Sequence, residues 1–223
     1  MIDNNSSFSR PLPIVLAITG ASGACYGLRT LQFLLSTGQP TELLVSKAAL
    51  KVMEVEHDLV LGKEPEGKAD NLKKGLLTHL KLSEDAPVKL HDLADYAAPV
   101  ASGSFRTRGM AIVPCSIGTL GALACGLTEN LIHRAAAVCL KEKRPLVIVV
   151  REMPFGHIQL KNMLSLSEAG AIVACASPGY YHRPETISDQ IDFVVGRILD
   201  QLDFDNSLFK RWREDTTSNI KIR

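Results

Sequence analysis

PIVLAITGASGACYGLR, residues 13–29, runs from an apolar segment through a glycine-rich turn into apolar residues at helical spacing. That is a strand, a tight turn and a helix in succession. The apolar part recurs as TELLVS (41–46), VKLHDL (88–93), MAIVPC (110–115), PLVIVV (145–150) and AIVACA (171–176). Several of these runs are apolar at nearly every position instead of alternating, so the spacing predicts buried strands of a parallel sheet covered on both faces. Helical patterns lie between them, at 22–37 with Tyr26, Leu28, Leu31, Leu34 and Leu35, and at 186–202 with Ile187, Ile191, Val194, Val195, Ile198 and Leu202. Alternation of this kind predicts a doubly wound, three-layer α/β/α fold with a mostly parallel sheet, Rossmann-like or flavodoxin-like. Residues 62–86 read as a solvated helical excursion without chemistry.

The chain of 223 residues is 46% hydrophobic and 22% charged, which suits one large core. We expect a flexible N-terminal arm (1–11), a single α/β domain (12–204) and a C-terminal tail (205–223) that carries the only tryptophan, Trp212. Lys+Arg 25 against Asp+Glu 24 leaves a net charge of +1, so no global field attracts nucleic acid or an anionic membrane surface. Five cysteines without a C-x-x-C pair suit a reducing compartment, and six histidines form no metal-binding pattern, so no metal is expected. No apolar stretch is long enough to span a membrane, and MIDNNSSFSRP lacks the features of a secretory signal; a cytoplasmic protein is expected.

In open α/β sheets, ligands bind beyond the carboxyl ends of the strands. Gly20, Ala21, Ser22 and Gly23 stand there after the first strand, before a helix whose free N–H groups favour an anion. Their G-x-x-G-x-x-x-G spacing departs from the dinucleotide fingerprint, so a mononucleotide suits the turn better; a tight turn without a ligand is the alternative. Ser46 ends the second strand and Ser116, Ile117, Gly118 and Thr119 follow the fourth. Each serine suits a helix N-cap as well as a ligand contact. Arg151 and Glu152 directly follow the fifth strand, either as a capping ion pair or as site residues. Tyr180, Tyr181, His182 and Arg183 crowd the rim after the sixth. Arg134 and Lys141, seven apart on a helical pattern, share one face that is either solvated or able to neutralise a phosphate; Glu56 alone reads as a surface acid.

Taken in order, TGASGACYGLR, VSKAA, APVASGSFRT, PCSIGTL, NLIHRAA, LKEKRPLVIVVRE, GYYHRP, and DFVVGRIL followed by LFKRW resemble the flavin prenyltransferase family (UbiX), formerly labelled 3-octaprenyl-4-hydroxybenzoate carboxy-lyases, over residues 12–213. The resemblance implies metal-independent transfer of a dimethylallyl group from dimethylallyl phosphate to N5 and C6 of reduced FMN. The prenylated FMN would serve a UbiD-type decarboxylase, and the enzyme would be a homo-oligomer, a dodecamer. It further implies that Gly20, Ala21, Ser22, Ser46, Ser116, Ile117, Gly118, Thr119 and Arg151 hold FMN. Tyr181, Arg197, Arg134 and Lys141 would grip the allylic phosphate, and Ser22, Glu56, Glu152 and Trp212 would be catalytic. Tyr96 stands where some members carry another aromatic residue. The rival expectations are an FMN-dependent cysteine decarboxylase of the same fold, whose His and Pro-x-Met-Asn segments have no convincing match here, and a flavin-binding regulatory subunit without catalysis.

Overall fold

The computed structural model describes residues 11–61 and 68–212. Residues 1–10 of the expected arm, 62–67 of the polar excursion and 213–223 of the tail lie outside the described residues. The first half comprises β1 (Ile14–Ile18), α1 (Ala24–Ser36), β2 (Thr41–Val45), α2 (Lys47–His57), α3 (Lys68–His79) and β3 (Val88–His91). After a 3-10 turn at Pro99–Ala101 come β4 (Gly109–Cys115), α4 (Ile117–Ala124), α5 (Leu131–Lys141), β5 (Leu146–Val150), α6 (His157–Glu168), β6 (Ile172–Cys175) and α7 (Ile187–Gln201).

The six strands form one sheet in the order β3-β2-β1-β4-β5-β6. Every pairing is parallel, with Ile14 opposite both Thr41 of β2 and Gly109 of β4. The chain therefore winds outward in one direction from β1 and in the other from β4. Their junction is the switch point at which the carboxyl edge opens a crevice.

Burial follows the two-residue period of a strand. Ile14, Leu16 and Ile18 of β1 meet Leu28 and Leu31 of α1 and Val194 and Ile198 of α7 in one core. Val15 and Ala17 face the other way, into a core with Leu120 of α4, Ile132 and Ala135 of α5 and Leu166 of α6. Each fully buried Leu or Ile contributes about 1.5–3 kcal/mol against exposure, which explains why the central runs tolerate no polar side chain.

Two strands depart from the expectation of full burial. β6 is only half-buried and its Cys175 is exposed, while β3 exposes Lys89. Both are edge strands with a neighbour on one side only. Helix ends follow local chemistry: the expected helix 22–37 starts two residues later because Gly23 is its N-cap, and α7 begins with a capping box between Thr186 and Asp189. Beyond α7 the chain folds back on it. Phe209 is buried against Phe193, with ring centroids 4.9 Å apart.

Candidate functional site

The glycine-rich turn takes its shape from contacts outside itself. A Cβ on Gly20 would lie 2.3 Å from Cβ of Ala48 at the start of α2, so only glycine lets the two segments close together. Gly23 has φ +96°, a left-handed conformation that favours glycine, and with no side chain it cannot cap α1.

The anion at that helix start is Glu56, which projects back from the end of α2. Both of its carboxylate oxygens accept the Gly23 amide at 3.0 Å, and Oε2 also accepts the Ala24 amide at 2.9 Å. Burial raises its pKa, but hydrogen bonds from the Ser22 hydroxyl and from the Gly23 and Ala24 amides outweigh that and hold it below the usual glutamate value. The amides that the sequence offers to a phosphate at α1 are thus taken by an internal carboxylate. Cys25, beside it, has its thiol pushed up by burial and by the Glu56 charge.

Ser46 and Ser116 are both helix N-caps: Ser46 Oγ accepts from the Ala49 amide at 3.1 Å, and Ser116 Oγ accepts from the Thr119 amide at 3.3 Å. Capping leaves the amides of the first helical residues directed out of the helix, here at Ile117 and Gly118 of α4. Nothing would crowd a Cβ at Gly118, so the approach there is open. Thr19, buried at the end of β1, ties the two halves of the crevice together. Its hydroxyl donates to the Pro114 carbonyl and accepts the Ser116 amide, both at 2.8 Å.

Arg151 reaches across the same edge, donating from Nε to the Ser22 carbonyl at 3.0 Å. Glu152 Oε1 accepts its neighbour Met153's amide, also at 3.0 Å, and no Arg151–Glu152 ion pair occurs among the described residues. Tyr26 stands close to both Tyr180 and Arg151; burial raises its phenol pKa, with the Arg151 charge opposing. Gly20, Ser22, Glu56, Arg151, Tyr26 and Tyr180 therefore surround one corner.

A second group forms where the tail meets α7. Tyr181 packs edge-on against Phe193 (5.6 Å between centroids) and against Trp212 (5.3 Å). Arg197, one turn along α7 from Phe193, pairs with Asp200 at 2.7 Å. Arg134 and Lys141 do not join either group. Arg134 Nε donates to the Ala101 carbonyl at 3.0 Å, and Lys141 pairs with Glu142 at 3.2 Å. For Lys141 the reason is topological: α5 must return the chain to the amino edge, where β5 begins at Leu146, so Lys141 ends opposite to the carboxyl-edge crevice, whereas Arg134 in the first turn of α5 is engaged by the Ala101 carbonyl.

A cavity of about 610 Å³ adjoins Ser46 at the carboxyl ends of β2 and β3, lined in part by Val45, Lys47, His91 and Tyr96. That size suits a small-molecule ligand. The Tyr96 hydroxyl donates to the Thr128 carbonyl at 3.3 Å, so this ring is tied to a loop.

The Flavoprotein family model matches residues 2–199. The chain is 46% identical over 206 residues to the flavin prenyltransferase UbiX of Pseudomonas aeruginosa, covering 92% of this chain and 96% of that one. The chain belongs to the UbiX flavin prenyltransferase family. Among solved structures, AnUbiX in complex with FMN and dimethylallyl pyrophosphate is 39% identical with a TM-score of 0.78, covering 91% of this chain and 98% of that one. A dodecameric FMN-dependent UbiX-like decarboxylase from Escherichia coli O157:H7 is 37% identical with a TM-score of 0.75, covering 90% and 99%. The FMN-dependent cysteine decarboxylase TvaF, at 15% identity and a TM-score of 0.51, shares the fold alone.

As a UbiX-family flavoprotein, the chain offers FMN a carboxyl-edge crevice with two serine-capped helix starts and an adjoining cavity of suitable size. No cluster of metal-ligating side chains occurs among the described residues. Sequence reasoning passed over Thr19, Tyr26 and Asp200. Thr19 carried a faint signal, a hydroxyl at the end of an otherwise apolar strand. Asp200 carried none, being one acid on a solvent-bordering helix.

Proposed function

We propose that the chain transfers a dimethylallyl group from dimethylallyl phosphate to N5 and C6 of reduced FMN, releasing phosphate, and that a UbiD-type decarboxylase consumes the prenylated FMN. The observation that carries this reading is the corner where Ser22, Glu56 and Arg151 meet beyond β1 in a chain of the UbiX family. When bound, reduced FMN supplies the nucleophilic ring. The chain's own groups hold, orient and shield.

The serine-capped starts of α2 and α4, with Gly20, Ala21, Ile117, Gly118 and Thr119, form the cradle for the mononucleotide, the outward amides of α4 suiting its phosphate. Arg151 fixes the Ser22 backbone, and the Ser22 hydroxyl donates to the ionised Glu56, giving a route for a proton between solvent and the ring edge. Breaking an allylic C–O bond develops negative charge on phosphate and positive charge on carbon. Arg197 and the Tyr181 hydroxyl answer the first charge; the Trp212 face and the Glu152 carboxylate answer the second. Lys141 stands away from this edge and Arg134 is turned to the Ala101 carbonyl, and we assign both to the site of an adjoining copy in a homo-oligomer, a dodecamer in keeping with the dodecameric relative. The protein works in the cytoplasm on this reading.

Anaerobic incubation with reduced FMN and dimethylallyl phosphate, followed by mass spectrometry of the extracted flavin and assay of free phosphate, tests the proposal. A flavin heavier by one five-carbon prenyl unit, with matching phosphate release, is expected; unchanged FMN bound to folded protein refutes it.

A further inference from the structure

Besides the burial of Phe209 and a bond from Asn206 Nδ2 to the Gly196 carbonyl, the C-terminal segment is tied to α7 by a carboxylate that also holds a site residue. Asp200 Oδ2 accepts Arg197 Nη1 at 2.7 Å and Arg211 Nη1 at 3.1 Å. Its Oδ1 accepts Arg211 Nη2 and Asn206 Nδ2, both at 2.9 Å. An ionised carboxylate has about four acceptor positions, so these four bonds fill it. The Asp200 side chain is only 15% exposed, which makes leaving it without a cation costly.

The partners are not arbitrary. Arg197 is assigned to the allylic phosphate, and Arg211 precedes Trp212, whose ring packs edge-on against Tyr181. Arg211 also lies over the Phe209 ring, 5.4 Å from its centroid, so the guanidinium, the buried phenylalanine and the carboxylate form one lock.

We propose that Asp200 is a positioning residue: it docks the C-terminal segment on α7 and holds Arg197 in the same grip, so that tail docking and release of Arg197 are coupled. With the tail docked, Arg197 can turn toward a phosphate while Arg211 and Asn206 still satisfy the carboxylate. With the tail detached, Arg197 becomes the remaining cation on a half-buried carboxylate and is held back. The Arg197 half of this proposal rests on the prenyltransferase reading above; the docking half does not.

The test uses the full-length protein with Arg211→Met, Asp200→Asn and the double variant. Trp212 is the only tryptophan, so its emission reports docking without any turnover. Trp212 is 66% exposed even when docked, so in Arg211→Met its emission should lose anisotropy, as the ring leaves Tyr181, and become more open to acrylamide. KM for dimethylallyl phosphate should rise about tenfold, the equivalent of one charge-assisted hydrogen bond, while FMN affinity stays at the wild-type level. In the double variant KM should fall back below that of Arg211→Met, because the carboxylate that retains Arg197 has been neutralised. A purely structural role for Asp200 would instead make the double variant as poor as the single one or poorer. Arg211 lies outside the sheet and its helices, with a side chain 38% exposed, so Arg211→Met folds and keeps the test open if Asp200→Asn does not. Native Trp212 emission and KM in Arg211→Met, in a preparation that prenylates FMN, overturn the role of Asp200 alone. A wild-type protein that does not prenylate FMN overturns the catalytic reading and the Arg197 half with it, while the emission anisotropy still decides docking.

Discussion

Replacing Glu56 with alanine removes the one carboxylate at the start of α1. It takes away the acceptor of the Gly23 and Ala24 amides, bonds of 2.9–3.0 Å, together with the Ser22 contact. Loss of an N-terminal cap costs about 0.5–2 kcal/mol, and a charge at a helix N-terminus contributes about 0.3–1 kcal/mol where water reaches it. Glu56 is largely exposed, so screening keeps the two from adding in full, and about 1–2 kcal/mol is expected. For a chain of this size that is a fall in Tm of about 2–8 °C at pH 7. The assay is thermal unfolding at fixed protein concentration, since assembly makes Tm concentration-dependent.

Two further readouts make the reasoning specific. Because the folded-state pKa of Glu56 lies below its ordinary 4.5, its contribution is complete above that value and is lost as pH falls through the depressed folded value. The Tm gap between wild type and Glu56→Ala should therefore close on the acid side of pH 4.5 and not on the alkaline side. The vacated amides should also accept an added anion, so sulfate should raise the Tm of the variant more than that of the wild type. A variant with wild-type Tm at pH 7, or one indifferent to sulfate, refutes the placement of Glu56 as the anion of α1.

Thr19→Val removes a buried hydroxyl that serves the Pro114 carbonyl and the Ser116 amide; the carbonyl keeps the Thr19 backbone amide at 3.2 Å, but the Ser116 amide loses its acceptor, and the change should cost about 1–3 kcal/mol in denaturant unfolding. FMN affinity, read by fluorescence titration, should fall with it because the start of α4 loses its tie to β1. Burial pushes the Cys115 thiol up to about 12 and the Cys139 thiol up to about 11, whereas Cys125 and Cys175 are exposed. Iodoacetamide at pH 8 should therefore label Cys125 and Cys175 within the native protein and spare Cys115 and Cys139 until it unfolds, as peptide mapping would show.

The succession of strands and helices along the chain could be anticipated because the evidence for it is local. PIVLAIT and PLVIVV are apolar without alternation only because both faces of a central parallel strand are covered, and β1 and β5 are indeed fully buried. The same inference overreached for AIVACA, since an edge strand can carry the same residues without being enclosed. Capping was legible too: the chemistry that satisfies a helix start lies within three residues, as at Ser46, Ser116 and Thr186. At Ser46 and Ser116 the residues themselves left cap and ligand contact open, and the structure supplies the cap.

By itself, then, the sequence determined the periodicities, the order of strands and helices and the motifs that carry the family resemblance, all consequences of neighbours a few residues apart. Only the tertiary structure decided which groups meet. Glu56 reaches Gly23 across 33 positions, Thr19 reaches Ser116 across 97, and Arg151 reaches Ser22 across 129. It also set Lys141 at the opposite edge of the sheet from the crevice and joined Arg197 to Arg211 through Asp200. These pairings follow from how a parallel sheet brings the ends of distant strands side by side, and hydrogen bonds and charges act through that distance in space, whatever the separation along the chain.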